Sequence, residues 1–262
     1  MKQKMYQVDA FADQLFSGNP AAVCVLASWL PEEVMQKIAM ENNLAETAFL
    51  VKKGSRYLIR WFTPELEVDL CGHATLASAF VLFHYYNVTD ATLQLYSSRS
   101  GELSVTQETD GYLTLNFPSD ELVAVAEVPH LIDAIGSQPI KIFKGKTDYM
   151  LIYDTQKEVE MLTPNFFLLD KVPARGVIVT APGKEVDFVS RFFAPQCGIS
   201  EDPVTGSAHT SLTPYWAKIL GKNKLIAKQL SSRGGTILCE YLEDRIKISG
   251  KVVPYFEGEI IL

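Results

Sequence analysis

Short runs of β-branched and aromatic residues, bounded by turn formers, recur along the whole chain and predict strands. In the first half they cover 6–11, 21–26, 47–51, 57–62, 93–96 and 112–117; in the second, 140–143, 176–180, 188–193, 225–229, 236–241, 245–248 and 252–256. Pro31 as a first helical residue, followed by Glu32 and Glu33, predicts an amphipathic helix with Val34, Met35, Ile38 and Ala39 on one face. Two segments depart from this pattern. Residues 74–83, ATLASAFVLF, carry no charge and predict a helix buried on all sides. Residues 208–220 predict its counterpart, containing Trp216 and stopped by Gly221, with Pro214 imposing a kink or a late start.

The two buried helices belong to an internal repeat. Arg60-Trp61-Phe62-Thr63-Pro64 recurs as Arg191-Phe192-Phe193-Ala194-Pro195, displaced by 131 residues (191 minus 60), half of the chain's 262. Gly72-His73-Ala74-Thr75 recurs as Gly206-Ser207-Ala208-His209, displaced by 134 (206 minus 72), so three residues are inserted between the paired segments. The expectation is an α+β chain of two pseudo-symmetric halves, 1–117 and 118–251, with a strand at about 252–262 that could return to the first. Each half would wrap mainly antiparallel strands around one central helix whose N-terminus opens toward the other half, placing the active site in the cleft.

Composition narrows the functional classes. An apolar fraction of 47% supplies a core and excludes a mostly disordered chain. The net charge is −7 and no basic cluster offers a face to nucleic acid or an anionic membrane. The longest apolar run is too short to span a bilayer, and the opening MKQKMYQVDAFADQ reaches Asp9 before any apolar stretch, unlike a signal peptide. Cys24, Cys71, Cys197 and Cys239 lie far apart without a CxxC pair, which fits reduced thiols in a cytoplasmic protein. His73, His84, His130 and His209 show no metal-ligand spacing, and GxSxG, GxGxxG and the P-loop pattern are absent. No metal and no cofactor are expected.

Candidate chemistry sits at the two helix starts. A helix N-terminus leaves about four N–H groups unpaired and carries roughly half a positive charge, so Gly72–Ala74 and Gly206–Ala208 could hold a substrate carboxylate and developing negative charge. Ordinary helix capping explains the same residues. Glu46, entering an apolar strand, would be desolvated and its pKa raised toward that of a useful acid or base; a solvated strand edge is the alternative. Asp202, four residues before Gly206, reads as a catalyst or as a cap or turn residue. His73, in the first turn of a buried helix, would be kept neutral by the dipole, as a proton carrier or as a core histidine. Cys71 falls opposite Thr205 under the 134-residue offset, so a two-thiol racemase site lacks its second cysteine, and Cys71 reads as a small buried residue.

Phe16-Ser17-Gly18-Asn19-Pro20-Ala21-Ala22-Val23, Asn43-Leu44-Ala45-Glu46-Thr47-Ala48-Phe49, Asp69-Leu70-Cys71-Gly72-His73-Ala74-Thr75 and Glu201-Asp202-Pro203-Val204-Thr205-Gly206-Ser207-Ala208 together resemble the phenazine-biosynthesis PhzF-like family, in family order and over nearly the whole chain. The resemblance implies a diaminopimelate epimerase-like fold, a homodimer, and an isomerase needing neither metal nor organic cofactor. By motif, Glu46 would be the general acid/base, with His73, Asp202 and Ser207 completing the catalytic site. Asn19, Gly72, Ala74, Gly206 and Ala208 would bind a small carboxylate substrate. A racemase or epimerase using Cys71, and a silent small-carboxylate binder on the same scaffold, are the alternatives.

Overall fold

The computed structural model describes residues 2–126 and 128–262, which divide into two compact units: the residues up to Asn116 together with Ser249–Leu262, and Phe117–Ile248. The first unit contains β1 (Lys2–Ala10), β2 (Asn19–Leu26), α1 (Glu32–Asn42), β3 (Glu46–Lys53), β4 (Arg56–Phe62), β5 (Glu67–Val68), α2 (Gly72–Tyr85), β6 (Thr92–Ser97), β7 (Gly101–Gln107) and β8 (Leu113–Pro118), whose last residues cross the boundary. The chain's last strand, Val252–Ile261, lies antiparallel along β1, with a register shift between Gln7 and Val8. Thr47–Leu50 of β3 are all buried, because helices cover both faces of that strand. Phe49 packs with Met35, Ile38 and Ala39 of α1, and α2 also packs against β3.

In α2 every residue from His73 to Phe83 is buried, as its uncharged sequence predicts. Its two interior hydroxyls cost little there, since Thr75 donates to the Cys71 carbonyl and Ser78 donates to the Ala74 carbonyl at 2.7 Å. The α1 helix also forms with its expected face inward, except that Pro31 is the residue before the helix rather than its first.

The second unit contains β9 (Val123–Val125), α3 (Leu131–Ile135), β10 (Lys141–Lys144), β11 (Asp148–Ile152), α4 (Gln156–Met161), α5 (Phe166–Leu169), β12 (Gly176–Pro182), β13 (Phe188–Phe193), α6 (His209–Leu220), β14 (Lys224–Gln229) and β15 (Gly235–Leu242). Its core includes Leu151, Tyr153, Val159, Val179 and Phe193, all at most 1% exposed. Pro214 does not break α6. The carbonyl it leaves without a helical donor, that of Thr210, accepts instead from the Asp120 backbone N–H at 3.1 Å. The helix does start late: Gly206–Ala208 form a 3-10 turn and α6 proper begins at His209.

The internal repeat is reproduced in the strand pairing. Along β1, β2, β3, β4, β6 and β7, successive neighbours pair antiparallel, parallel, antiparallel, parallel and antiparallel. Along β10, β11, β12, β13, β14 and β15 the order is the same. The central helices occupy matching places, α2 before β6 and α6 before β14. Among the described residues no helix is long and apolar enough to cross a membrane.

Candidate active site

Glu46 opens β3 shortly after α1, where Asn43, the residue following the helix, turns the chain with a left-handed φ of 48°. Parallel pairing sets Glu46 beside Ala21 of β2, two residues beyond Asn19. The adjoining turn needs glycine: Gly18 has φ +71°, and a Cβ there would stand 2.3 Å from the Ala10 carbonyl oxygen. His73 projects from the first turn of α2. Its Nε2 lies 3.0 Å from Glu46 Oε2, with side-chain exposures of 6% and 12%. The pair is at ion-pair distance, and Oε2 makes no hydrogen bond beyond this approach to His73.

Asn19 Nδ2 lies 3.1 Å from His73 Nδ1, and Cys71 Sγ lies 3.5 Å from the same nitrogen. Burial pulls the imidazole pKa down, whereas the Cys71 sulfur and the Glu46 carboxylate against the ring push it well above its ordinary value, the carboxylate being the charge present at neutral pH. This corrects the neutral ring expected from the helix dipole, because a carboxylate at 3.0 Å outweighs a partial charge spread over a helix end. Protonation at Nδ1 requires the Asn19 amide to present its oxygen, so amide orientation and ring charge are linked. Burial, with Glu46 adding to it, pushes the Cys71 thiol up to about 11, so it is a neutral thiol at pH 7. The first-turn N–H groups of Gly72 and His73 have no acceptor within α2, whereas that of Ala74 donates to the Cys71 sulfur just before the helix.

The second unit gathers Asp202 and Ser207 into a different kind of constellation. Asp202 is 8% exposed and accepts from the Thr205 hydroxyl. Gln229, fully buried on β14, secures the loop: its Oε1 accepts from the Thr205 N–H at 2.8 Å, and its Nε2 donates to the Asp202 carbonyl at 2.8 Å. Ser207 Oγ accepts from Arg175 Nη1 at 3.0 Å. Arg175 in turn makes a two-pronged pair with buried Asp148, Nε to Oδ1 at 2.9 Å and Nη2 to Oδ2. The Ala208 N–H is not free, contrary to expectation. In the 3-10 turn it donates to the Thr205 carbonyl at 3.2 Å, which removes it from the anion-holding donors.

Sequence reasoning therefore located Glu46, His73 and Asn19, which the fold brings together, and Asp202 with Ser207, which share the 3-10 segment's surroundings. It missed Arg175, Asp148 and Gln229. None of these sits in a local motif, and only tracing the repeat through the strand register would have singled out their positions.

A family described as phenazine biosynthesis-like protein, PhzC-PhzF, matches residues 8–258. An uncharacterized isomerase of Pseudomonas aeruginosa is 48% identical over 262 residues, covering all of both chains. The crystal structure of a PhzF-family phenazine biosynthesis protein from Enterococcus faecalis superposes with a TM-score of 0.96 at 49% identity, again over all of both chains. A hydroxyproline epimerase from Agrobacterium vitis shares the fold alone, with a TM-score of 0.64 at 9% identity over 99% of this chain and 92% of that one.

Proposed function

The chain belongs to the phenazine biosynthesis-like (PhzF) family and is an isomerase, and we propose that it moves a proton on a small carboxylic acid with Glu46 as general base and acid. The observation that carries this is the nearly buried carboxylate of Glu46, held with Oε2 3.0 Å from His73 Nε2. Glu46 takes a proton from a carbon next to an unsaturated system or carboxylate. The electron pair left behind spreads into that system, and the first-turn N–H groups of Gly72 and His73 stabilise the negative charge. Glu46 then returns the proton to another carbon or to the other face. His73 holds the carboxylate in place throughout and balances its charge. Asn19 fixes the ring. Asp202 and Ser207 are assigned to the substrate's polar groups on the strength of the motif match.

The test is proton exchange. A panel of small unsaturated carboxylic acids is incubated with the protein in D₂O, and carbon-bound deuterium is read by NMR. Incorporation that disappears in Glu46→Gln supports the reading; incorporation undiminished in Glu46→Gln sinks it. A racemase using Cys71 is the second reading, favoured by the 3.5 Å approach of Sγ to His73 and opposed by the thiol's high pKa. It predicts that Cys71→Ala abolishes exchange. A silent binder predicts none with any acid that binds.

A further inference from the structure

Glu46 from the start of β3, Cys71 from the residue before α2 and His73 from its first turn bring three chemically different donors together. One ligating atom from each lies within 4.8 Å of the other two. His73 Nε2 stands 3.0 Å from Glu46 Oε2 and 4.0 Å from Cys71 Sγ. In a tetrahedral zinc site, bonds of about 2.0–2.3 Å set neighbouring donors about 3.3–3.5 Å apart. Shifts of roughly half an ångström bring these two separations to that spacing, and the widest separation in the cluster, at most 4.8 Å, closes by up to about 1.3 Å. Glu46 Oε2 makes no hydrogen bond beyond its approach to His73, so it is available to an ion that His73 also ligates.

We propose that Glu46, Cys71 and His73 bind one zinc ion reversibly, and that the bound ion silences the isomerase. The second half of this rests on the proton-shift reading; the first does not. On binding, Zn–S and Zn–N bonds form and two protons leave to solvent, one from the Cys71 thiol and one from the His73 imidazolium, with no change of oxidation state. One thiolate, one carboxylate and a neutral imidazole around a dication leave no net charge in a nearly buried site. Magnesium and calcium want six or more oxygen donors, and this cluster offers one carboxylate. Three protein ligands leave a fourth position for water. The ion takes the lone pair that would accept the substrate proton, so zinc acts as a reversible brake on chemistry that itself uses no metal.

Full-length protein stripped with chelator is titrated with Zn²⁺ by calorimetry, and with Co²⁺ as a spectroscopic probe. One equivalent should bind, and cobalt should show near-ultraviolet sulfur-to-metal charge transfer. Cys71→Ala should abolish that band and weaken zinc binding at least roughly tenfold, a change of about 1.4 kcal/mol. Cys197→Ala, which removes the exposed thiol, should leave both intact. If Cys71→Ala proves poorly folded by circular dichroism, Glu46→Gln serves as the second ligand variant and should weaken zinc binding likewise. Absence of binding, affinity unchanged in the folded ligand variants, or loss of the band in Cys197→Ala overturns the site. Zinc that binds at this cluster without slowing deuterium exchange by wild-type protein overturns the brake alone. Undiminished exchange in Glu46→Gln would sink the proton-shift reading while leaving the zinc titration as it stands.

Discussion

The two central helices begin alike and carry different chemistry. Each follows a strand whose arginine makes a two-pronged ion pair with a glutamate: Arg60 with Glu67 at 2.6 and 2.7 Å, and Arg191 with Glu201 at 2.7 and 3.0 Å. These glutamates are 134 residues apart (201 minus 67), the same offset as the helix starts. Strand register extends the correspondence. Thr47 pairs with Phe62 and Val177 with Phe193, which makes Gly176 the equivalent of Glu46 in the repeat. Ala21 beside Glu46 likewise answers to Asp148 beside Gly176. Residues that brace the scaffold are thus duplicated, whereas those that could move a proton are not. One unit has a carboxylate against a histidine; the other has Asp148 locked onto Arg175, and a serine where the first has His73.

The difference extends to two fully buried histidines in the opening turns. His73 is raised by its neighbours. His209 has only the Thr205 carbonyl for its Nδ1 and no partner for Nε2, and burial lowers it to about 4. Proximity to a carboxylate, rather than depth, decides which histidine can carry charge.

The largest expected effect separates the units by activity. Glu46→Gln keeps the shape and removes the titrating oxygen, and should lower exchange or turnover by about 10²–10⁴. Asp202→Asn should cost within about tenfold, since its carboxylate accepts from Thr205 and the new amide can still do so through its oxygen. Equal losses in the two variants would make the units equal partners in proton transfer.

Next comes the place where the second unit lacks Glu46. A Cβ on Gly176 would lie 2.2 Å from the Phe192 ring, over which Arg175 is also stacked at 5.3 Å. Gly176→Ala should therefore destabilise by about 1–3 kcal/mol in urea unfolding. Wild-type stability in that variant would show that packing does not bar a side chain there, and the asymmetry would need another cause.

Much of this was legible in the sequence because it is local. Strand alternation, the uncharged run of α2 and the repeated Arg-x-Phe-x-Pro segment each lie within a few residues. Polar strands escaped that reading: β7, GELSVTQ, has only Val105 fully inside, and β11 opens on the buried Asp148. At the site, Glu46 and His73 were visible as separate candidates, but the 3.0 Å approach that raises His73 joins residues 27 apart (73 minus 46). Gln229 and Arg175 reach their partners from 24 and 32 residues away and leave no local trace.

A smaller effect should appear with pH. For His209 the folded pKa, about 4, lies below the unfolded value, so the unfolded chain takes the proton first as pH falls. Its contribution is complete above about pH 6.5 and is lost between there and about pH 4. For His73 the sign reverses: stability is present below about 6.5 and is lost as pH rises through its raised folded value. Between pH 7 and 5, His209 should cost on the order of 2 kcal/mol. His209→Asn, which can still donate to the Thr205 carbonyl, should flatten that slope in urea midpoints. An unchanged slope would place the acid sensitivity elsewhere.

The smallest expected effect concerns the thiols. Under the repeat, Cys71 corresponds to Thr205, so the repeat supplies no symmetric thiol pair, and Cys197 is exposed and donates to the Arg175 carbonyl at 3.6 Å. With Cys71 protonated at neutral pH, thiolate chemistry would first have to remove its proton in a buried site. Cys71→Ala and Cys197→Ala should each retain at least about a tenth of wild-type kcat, a barrier change under about 1.4 kcal/mol. Prolonged chelation should likewise leave turnover intact under the proposed carboxylate mechanism, in which a metal at Cys71 would only hinder proton transfer. Loss of several orders of magnitude in folded Cys71→Ala, with Glu46→Gln still active, would reverse the comparison: the first unit would then differ from the second by its thiol and not by its carboxylate.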